Sequence, residues 1–188
     1  MSAPTRTLDG ITVPEAGTFT IDPTHTSVGF VARHLMVSKV RGKFSQVSGE
    51  ITIADDPSQS TVEVHIPAAS IDTGVTDRDN HLRSADFLDV EHYPELVFAN
   101  ARVKDLDGSE FKLVGDLTIR DVTREVVLDA EFEGVARSPY GHEVIGFSAT
   151  TEIDRDEYNV TWNVALETGG VMVGKKVKIE IEVEAFRV

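Results

Sequence analysis

Most of this chain alternates apolar and polar residues with a period of two, and that pattern limits its fold more than any other feature. It is clearest near the C-terminus, where Val177, Ile179, Ile181, Val183 and Ala185 alternate with Lys178, Glu180, Glu182 and Glu184. Successive side chains of a strand point to opposite faces, so each such run has one dry face and one wet face. The same reading applies to Val62, Val64 and Ile66, to Phe111 through Ile119, to Val126 through Gly134, and to Ile145 through Ile153. Strand character begins at Thr18–Ile21. The run from His25 to Leu35 puts Val28, Phe30, Ala32 and His34 on one face, and Val40–Phe44 and Gly49–Ala54 form a broken pair. Leu96–Val103 ends at Asp105-Leu106-Asp107-Gly108, a hairpin signal.

Sheets with one wet face are antiparallel. About eight strands with tight turns leave a sandwich or a closed barrel. The barrel is preferred, because the long last strand can pair with the first and remove both edges. The expected architecture is all-β: an antiparallel eight-stranded barrel over residues 17–188, carrying one short helical insertion. Residues 1–16, with Pro4, Gly10 and Pro14 and little periodicity, read as an extended arm.

The insertion is Thr73 to Pro94, TGVTDRDNHLRSADFLDVEHYP. Val75, Leu82, Ala85, Leu88 and Tyr93 are spaced as on helical turns rather than on a strand. Thr76 with Asp79, and Ser84 ahead of Asp86 and Phe87, predict two helix starts. Pro94 ends the segment. On a helix, Asp77 would pair with His81 and Asp79 with Arg83 at i,i+4. The segment reads as a clamp that closes one end of the barrel.

The inward faces mix Phe111, Phe132 and Phe147 with Gly115, Ala130, Gly134 and Ala149. An eight-stranded barrel is at the size where side chains either fill the interior or leave room for one small ligand. The small residues fit a hollow interior, and they equally fit a filled one that makes room for bulky neighbours. If the interior is hollow, its hydrocarbon walls call for an apolar, elongated ligand. The residues assigned to wall or gate are Phe30, His34, Phe44, Leu82, Phe87, Phe98, Leu113, Leu117, Phe132 and Phe147.

Charge narrows the partners. With 18 basic and 32 acidic residues the net charge is −14, which excludes nucleic acid as the main partner and argues against an anionic membrane surface. Cysteine is absent, so thiolate catalysis and Cys-bound zinc are excluded. No run is apolar enough for a signal-peptide core or a membrane span, which gives the expectation of a cytoplasmic protein. No nucleophile elbow, phosphate loop or zinc-protease motif occurs, and no catalytic residue, metal site or cofactor is assigned. Two alternatives to a binding protein stay open. One is an enzyme using His81 with Asp77, or His34, on an apolar substrate; the other is a stress-linked structural or interaction protein.

Several ordered blocks resemble the YceI-like family. They are Asp22-x-x-His25-x-Ser27-x-x-Phe30 with His34; Val40-Arg41-Gly42-x-Phe44; Ser70-Ile71-Asp72-Thr73-Gly74; and Arg78-Asp79-x-His81-Leu82-Arg83-Ser84-x-Asp86-Phe87. Tyr93-Pro94, Phe98 and Gly115-Asp116-Leu117-Thr118-Ile119 continue the match in order. The resemblance runs from about Gly17 to the C-terminus. It implies a lipocalin-like barrel that binds a polyisoprenoid, such as an isoprenoid quinone or a polyprenyl chain, and no catalytic reaction. Asp121 and Asn159 stand where the family often has Gly, and both tolerate left-handed backbone. Thr161-Trp162-Asn163 and Gly169-Gly170 match least, which makes them candidates for ligand choice or for contact between the subunits of a homodimer.

Overall fold

The structure is a computed structural model and describes residues 2–188. In chain order the strands begin with β1 (Thr5–Leu8), β2 (Ile11–Pro14), β3 (Gly17–Ile21), β4 (Ser27–His34), β5 (Ser38–Phe44) and β6 (Ser48–Ile53). Next come β7 (Thr61–Pro67), β8 (Ile71–Asp72) and helix α1 (Thr76–Arg83). The second half holds β9 (Glu95–Asp107), β10 (Glu110–Ile119), β11 (Val122–Arg137), β12 (Glu143–Asp154) and β13 (Val173–Arg187).

The last strand closes the sheet, as its alternation predicts. One edge of β13 pairs with β12 in unbroken register from Val144↔Phe186 to Asp154↔Lys176. Its other edge pairs first with β3, at Ala185↔Ile21, and then with β4, at Ile181↔Val28. Following β3, β6, β7, β9, β10, β11, β12 and β13 returns to β3, so eight antiparallel strands form a ring. No free edge is left in that ring. β3–β4 and β5–β6 are two long strands, each interrupted at a corner. Beyond the corner β5 has only the short β8 as its further neighbour, and the sheet parts between β8 and β9. The segment carrying α1 follows β8 directly. Its Leu82, Phe87 and Leu88 pack with Ala68, Leu96 and Ile119 at this end of the barrel.

Residues 5–14, expected as part of an extended arm, form the β1–β2 hairpin instead. Its turn is Asp9-Gly10, both with positive φ (50° and 82°). Asp-Gly is a strong two-residue hairpin signal, and here the flanking prolines masked it. The Arg6 guanidinium ties the hairpin to the β6–β7 connection by donating to the Asp55 carbonyl (2.7 Å) and the Ala54 carbonyl (2.6 Å).

Two polar clusters hold the closure. Arg187, at the end of β13, donates from Nε and Nη2 to the two carboxylate oxygens of Glu143, at 2.7 and 3.0 Å. Glu143 is only 6% exposed. The same guanidinium donates to the Ala16 and Glu15 carbonyls and lies 4.6 Å from the Phe19 ring centroid. A Cβ at Gly17 would meet the tip of Arg187, so a side chain there would displace the guanidinium from these partners. At the β3–β4 corner, Asp22 and His25 pair at 2.8 Å, with Glu184 of β13 3.7 Å from the same imidazole nitrogen. Bonds from His25 and Thr24 outweigh burial and hold the Asp22 carboxyl down at about 2. The Asp22 bond, helped by the Glu184 charge, raises the His25 pKa above 6.5.

Replacing Glu143 by Ala leaves a largely buried cation without its carboxylate and is expected to cost about 3 kcal/mol. A urea unfolding curve should show the loss as a lower midpoint. At the corner, the stability from Asp22 is present above its unfolded pKa of 3.8 and is lost as pH falls to about 2. The stability from His25 is present below 6.5 and is lost as pH rises through its raised pKa. Asp22→Asn should move the His25 titration down toward 6.5, as read by NMR of the imidazole protons.

Candidate functional site

The inward faces of the ring do not fill it. They enclose a cavity of about 530 Å³, within the usual range of about 300–1,000 Å³ for ligand pockets. Nine of the ten residues assigned to wall or gate line it: Phe30, Phe44, Leu82, Phe87, Phe98, Leu113, Leu117, Phe132 and Phe147. Cross-strand register brings several together. Phe132 faces Phe147, with ring centroids 5.3 Å apart, and Ala130 faces Ala149. Phe98 sits opposite Leu117, and the Phe30 and Phe44 rings lie 5.9 Å apart. His34 departs from the expectation. Val28, Phe30 and Ala32 of β4 reach the cavity, whereas His34 at the strand tip lies beyond its wall.

The small residues divide between the two readings left open above. Ala130 and Ala149 line the cavity and leave it room. Gly115 makes space for a neighbour, since a Cβ there would fall 2.5 Å from the Phe98 ring. Gly134 does neither. It follows a break in the β11–β12 register, with φ of 145°, and a Cβ at this position would meet nothing within 4 Å.

One end of the cavity is covered by the β1–β2 hairpin, whose Leu8, Ile11 and Val13 line it. The helical segment covers the other, and its local structure differs from the expected one. There is one helix, and the residues after Arg83 form turns. Thr76 does not cap it; the N-cap is Val75, without a side-chain bond. Asp79 works backwards instead, accepting from the Thr73 amide (2.8 Å) and the Thr73 hydroxyl (2.6 Å). Burial acts to raise the Asp79 pKa, but these bonds and the charges of Arg83 and Arg78 leave it lowered.

The i,i+4 ion pairs are replaced by tethers to the barrel. Arg83 donates to the Ala69 and Ile71 carbonyls, at 2.8 and 2.9 Å, and Arg78 donates to the hydroxyl and carbonyl of Thr73. His81 pairs with Asp86 at 2.9 Å rather than with Asp77, and stacks edge-on against Phe87 and Trp162. The clamp's charges therefore fix it in place, while Leu82, Phe87 and Leu88 face the cavity.

A third device was not legible in the sequence. On the short 3₁₀ turn Arg155–Tyr158, the Arg155 guanidinium is 5% exposed and has no carboxylate partner. It donates to the carbonyls of Gly174 (2.9 Å), Val160 (2.7 Å), Trp162 (2.9 Å) and Val173 (3.1 Å). Burial lowers its pKa, against the pull of Asp156 and Asp154. The four bonds gather both ends of the 159–172 connection against the cavity wall. Tyr158 lies beside it, and burial pushes its phenol up to about 12. The Tyr158 hydroxyl is buried without a hydrogen-bond partner among the described residues.

The enzyme alternative needs an imidazole facing the interior, and among the described residues no histidine lines it. His65 and His92 pair with carboxylates at the surface, which raise their pKa values. One cluster has metal-ligand composition, Asp22, His25 and Glu184, with ligand atoms within 4.8 Å of one another. Those three residues lie outside the cavity wall, and the corner pairing described above accounts for them. No helix among the described residues is long and apolar enough to cross a membrane.

Comparison with known proteins places this architecture. The YceI-like domain matches residues 19–185. A UPF0312 protein of Staphylococcus aureus strain USA300 is 44% identical over 169 residues, covering 88% of this chain and 95% of that one. The crystal structure of a Campylobacter jejuni YCEI protein superposes with a TM-score of 0.69 at 33% identity, covering 83% of this chain and 90% of that one. Two more distant structures share the fold. BcnA of Burkholderia cenocepacia gives a TM-score of 0.72 at 20% identity, covering 87% of this chain and 98% of that one. A domain from Saccharophagus degradans, described as polyisoprenoid binding and implicated in plant cell wall breakdown, gives 0.67 at 14%, covering 90% and 98%. The ring of eight strands, the ordered sequence blocks and these matches agree, and the chain belongs to the YceI-like family.

Proposed function

We propose that this protein binds one elongated apolar lipid, a polyisoprenoid or an isoprenoid quinone, inside the barrel and carries, stores or sequesters it. The observation behind this reading is the cavity itself: about 530 Å³ bounded almost wholly by hydrocarbon. Water gains few hydrogen bonds in such a space, so an apolar occupant is favoured there. An isoprenoid chain suits its apolar walls and its aromatic rings. The description of the Saccharophagus degradans domain as polyisoprenoid binding supports the same class of ligand.

The walls are Phe30, Phe44, Phe98, Leu113, Leu117, Phe132 and Phe147, and the gate is Leu82 with Phe87. Arg83 ties the gate to the Ala69 and Ile71 carbonyls of the barrel, and Arg78 and Asp79 brace it through Thr73. Carriage suits a ligand that water will not dissolve.

Organic extraction of the protein purified from cells, followed by mass spectrometry, should yield an isoprenoid lipid in near-equal molar amount. A dry extract from a filled barrel would end the reading. Leu82→Ala with Phe87→Ala should release the lipid to acceptor vesicles on the order of tenfold faster, the effect of about 1.4 kcal/mol of lost apolar contact. The thermal midpoint should fall as well, because Phe87 is only 7% exposed within a core cluster, so release is compared at a temperature where both proteins remain folded. Unchanged release would make the clamp a packing element only.

A further inference from the structure

The net charge of −14 argues against an anionic surface as partner only if the charge is spread evenly, and it is not. Residues 23–49 contain Arg33, Lys39, Arg41 and Lys43 and no acidic residue at all. Residues 158–179 contain Lys175, Lys176 and Lys178 against the single Glu167. These stretches carry +6, and the rest of the chain carries −20. The fold brings the two together. β4 lies between β5 and β13 in the sheet, and the Leu35 amide donates to the Met172 carbonyl at 2.8 Å. The basic residues thus share one side of the barrel, with Arg33 and Lys39 paired beside the β4–β5 turn and Lys43 farther along β5, opposite Asp72. Arg41 and Lys178 are near Glu180, Lys175 pairs with Asp156, and Lys176 approaches Asp154. Arg33, Lys39 and Lys43 have no carboxylate partner among the described residues.

Among the described residues, four of the nine exposed large apolar residues gather at the same place. Leu35, Met36 and Val37, at the β4–β5 turn, are 38%, 54% and 80% exposed, and Val164 on the neighbouring loop is 42% exposed. The turn itself is costly. Leu35 and Met36 both hold left-handed backbone, with φ of 51° and 65°, and the Val37 amide closes the turn onto the His34 carbonyl at 3.1 Å. Turns whose two central residues both hold positive φ favour Asn and Gly there, because a side chain at positive φ is strained. Two large apolar residues here oppose backbone preference, and although the Met36 side chain reaches Gly170 on the neighbouring loop, both leave apolar surface in solvent. Directly behind the turn, Phe30 and Ala32 of β4 and Val173 and Val177 of β13 line the lipid cavity.

We propose that this end of the barrel docks on an anionic phospholipid bilayer, with Leu35, Met36 and Val37 entering the interface and the adjacent Arg33 and Lys39 meeting the headgroups. Exposed apolar side chains flanked by cations fit such a surface, and each cation near it contributes separately to binding. The acidic remainder of the barrel is repelled, which orients the molecule with this end toward the membrane. Docking in this orientation sets the cavity end beside the bilayer, where a lipid could pass with little exposure to water. The passage of lipid rests on the lipid-carrier reading, although the docking surface stands on its own residues.

The test is co-flotation of the full chain with vesicles of phosphatidylcholine alone and of phosphatidylcholine mixed with phosphatidylglycerol, at low and high salt. Binding is expected to the mixed vesicles and to weaken with salt. Lys39→Glu should reduce partition by at least about fivefold, the equivalent of about 1 kcal/mol for one cation near the surface. Leu35→Asn with Met36→Gly relaxes the turn, so this variant should melt no lower than the parent and yet lose vesicle binding. Equal binding by parent and turn variant, or binding indifferent to phosphatidylglycerol and salt, overturns the proposal. So does a turn variant that converts a dimer to a monomer in sedimentation while vesicles bind neither protein; that result makes the patch an interface between copies. Lipid extracted from a protein that ignores vesicles would overturn docking and leave the carrier reading intact. Vesicle binding by a protein that holds no lipid would do the reverse.

Discussion

The backbone groups on both edges of β13 must find partners, and the way they do so determines the rest of the molecule. One edge is satisfied by β12 over its full register; the other is divided between β3 and β4. That division is what makes a barrel. A strand long enough to span two shorter ones joins the ends of the sheet, and an unpaired edge would expose a row of amides and carbonyls. It also creates the corner at Asp22–Thr26, where the chain leaves one pairing and takes up the next. Arg187 and Glu143 lock the upper end of the same strand, and Arg155 fixes its lower end through the Gly174 and Val173 carbonyls. The closure therefore depends on backbone pairing, with a buried or half-buried arginine at each end of β13.

A closed ring of eight has an interior too wide for its small residues to fill, and hydrocarbon walls leave little for water to bond. The two ends are then covered differently. The β1–β2 hairpin is stitched down by Arg6 to backbone carbonyls. The clamp is tied by Arg78, Asp79 and Arg83 on its outer side and meets the cavity through Leu82, Phe87 and Leu88. Polar bonds thus fix the cover's position, while its apolar residues pack on the barrel end and line the cavity. That division suits a lipid-holding site better than a catalytic one, where polar groups would converge on the interior.

The outside carries a second separation. Acidic residues dominate the barrel, whereas one end combines cations with exposed Leu35, Met36 and Val37. A transmembrane barrel presents apolar residues outward around its whole belt. Here Lys176, Lys178, Glu180, Glu182 and Glu184 face outward along β13, opposite the apolar Val177, Ile179, Ile181 and Val183 at the cavity. The barrel thus keeps its hydrocarbon face inside, and the three consecutive exposed apolar residues Leu35, Met36 and Val37 stand apart from the scattered ones such as Leu106 and Val127.

Alternation alone was enough to assign strands, faces and the closed antiparallel sheet, because side-chain direction in a strand is local and strictly periodic. It also identified seven residues that line the cavity, from Phe30 to Phe147, while the helical spacing of the insertion supplied Leu82 and Phe87. What it could not settle was anything that depends on where a strand ends or what sits across from it. His34 continues the face of Phe30 and Ala32 but lies past the wall, since periodicity carries no information about length along the barrel axis. Gly115 and Ala149 look alike in sequence; only the Phe98 ring above the first shows that one gives room to a neighbour and the other to the cavity. The partners of Asp79, His81 and Arg155 are backbone carbonyls, a Thr or a residue beyond the helix, none of which a spacing rule can supply. Charge shows the same limit most clearly. Composition fixes the total of −14, but the pairing of β4 with β5 and β13 is what collects the cations and the apolar turn on one side of the barrel.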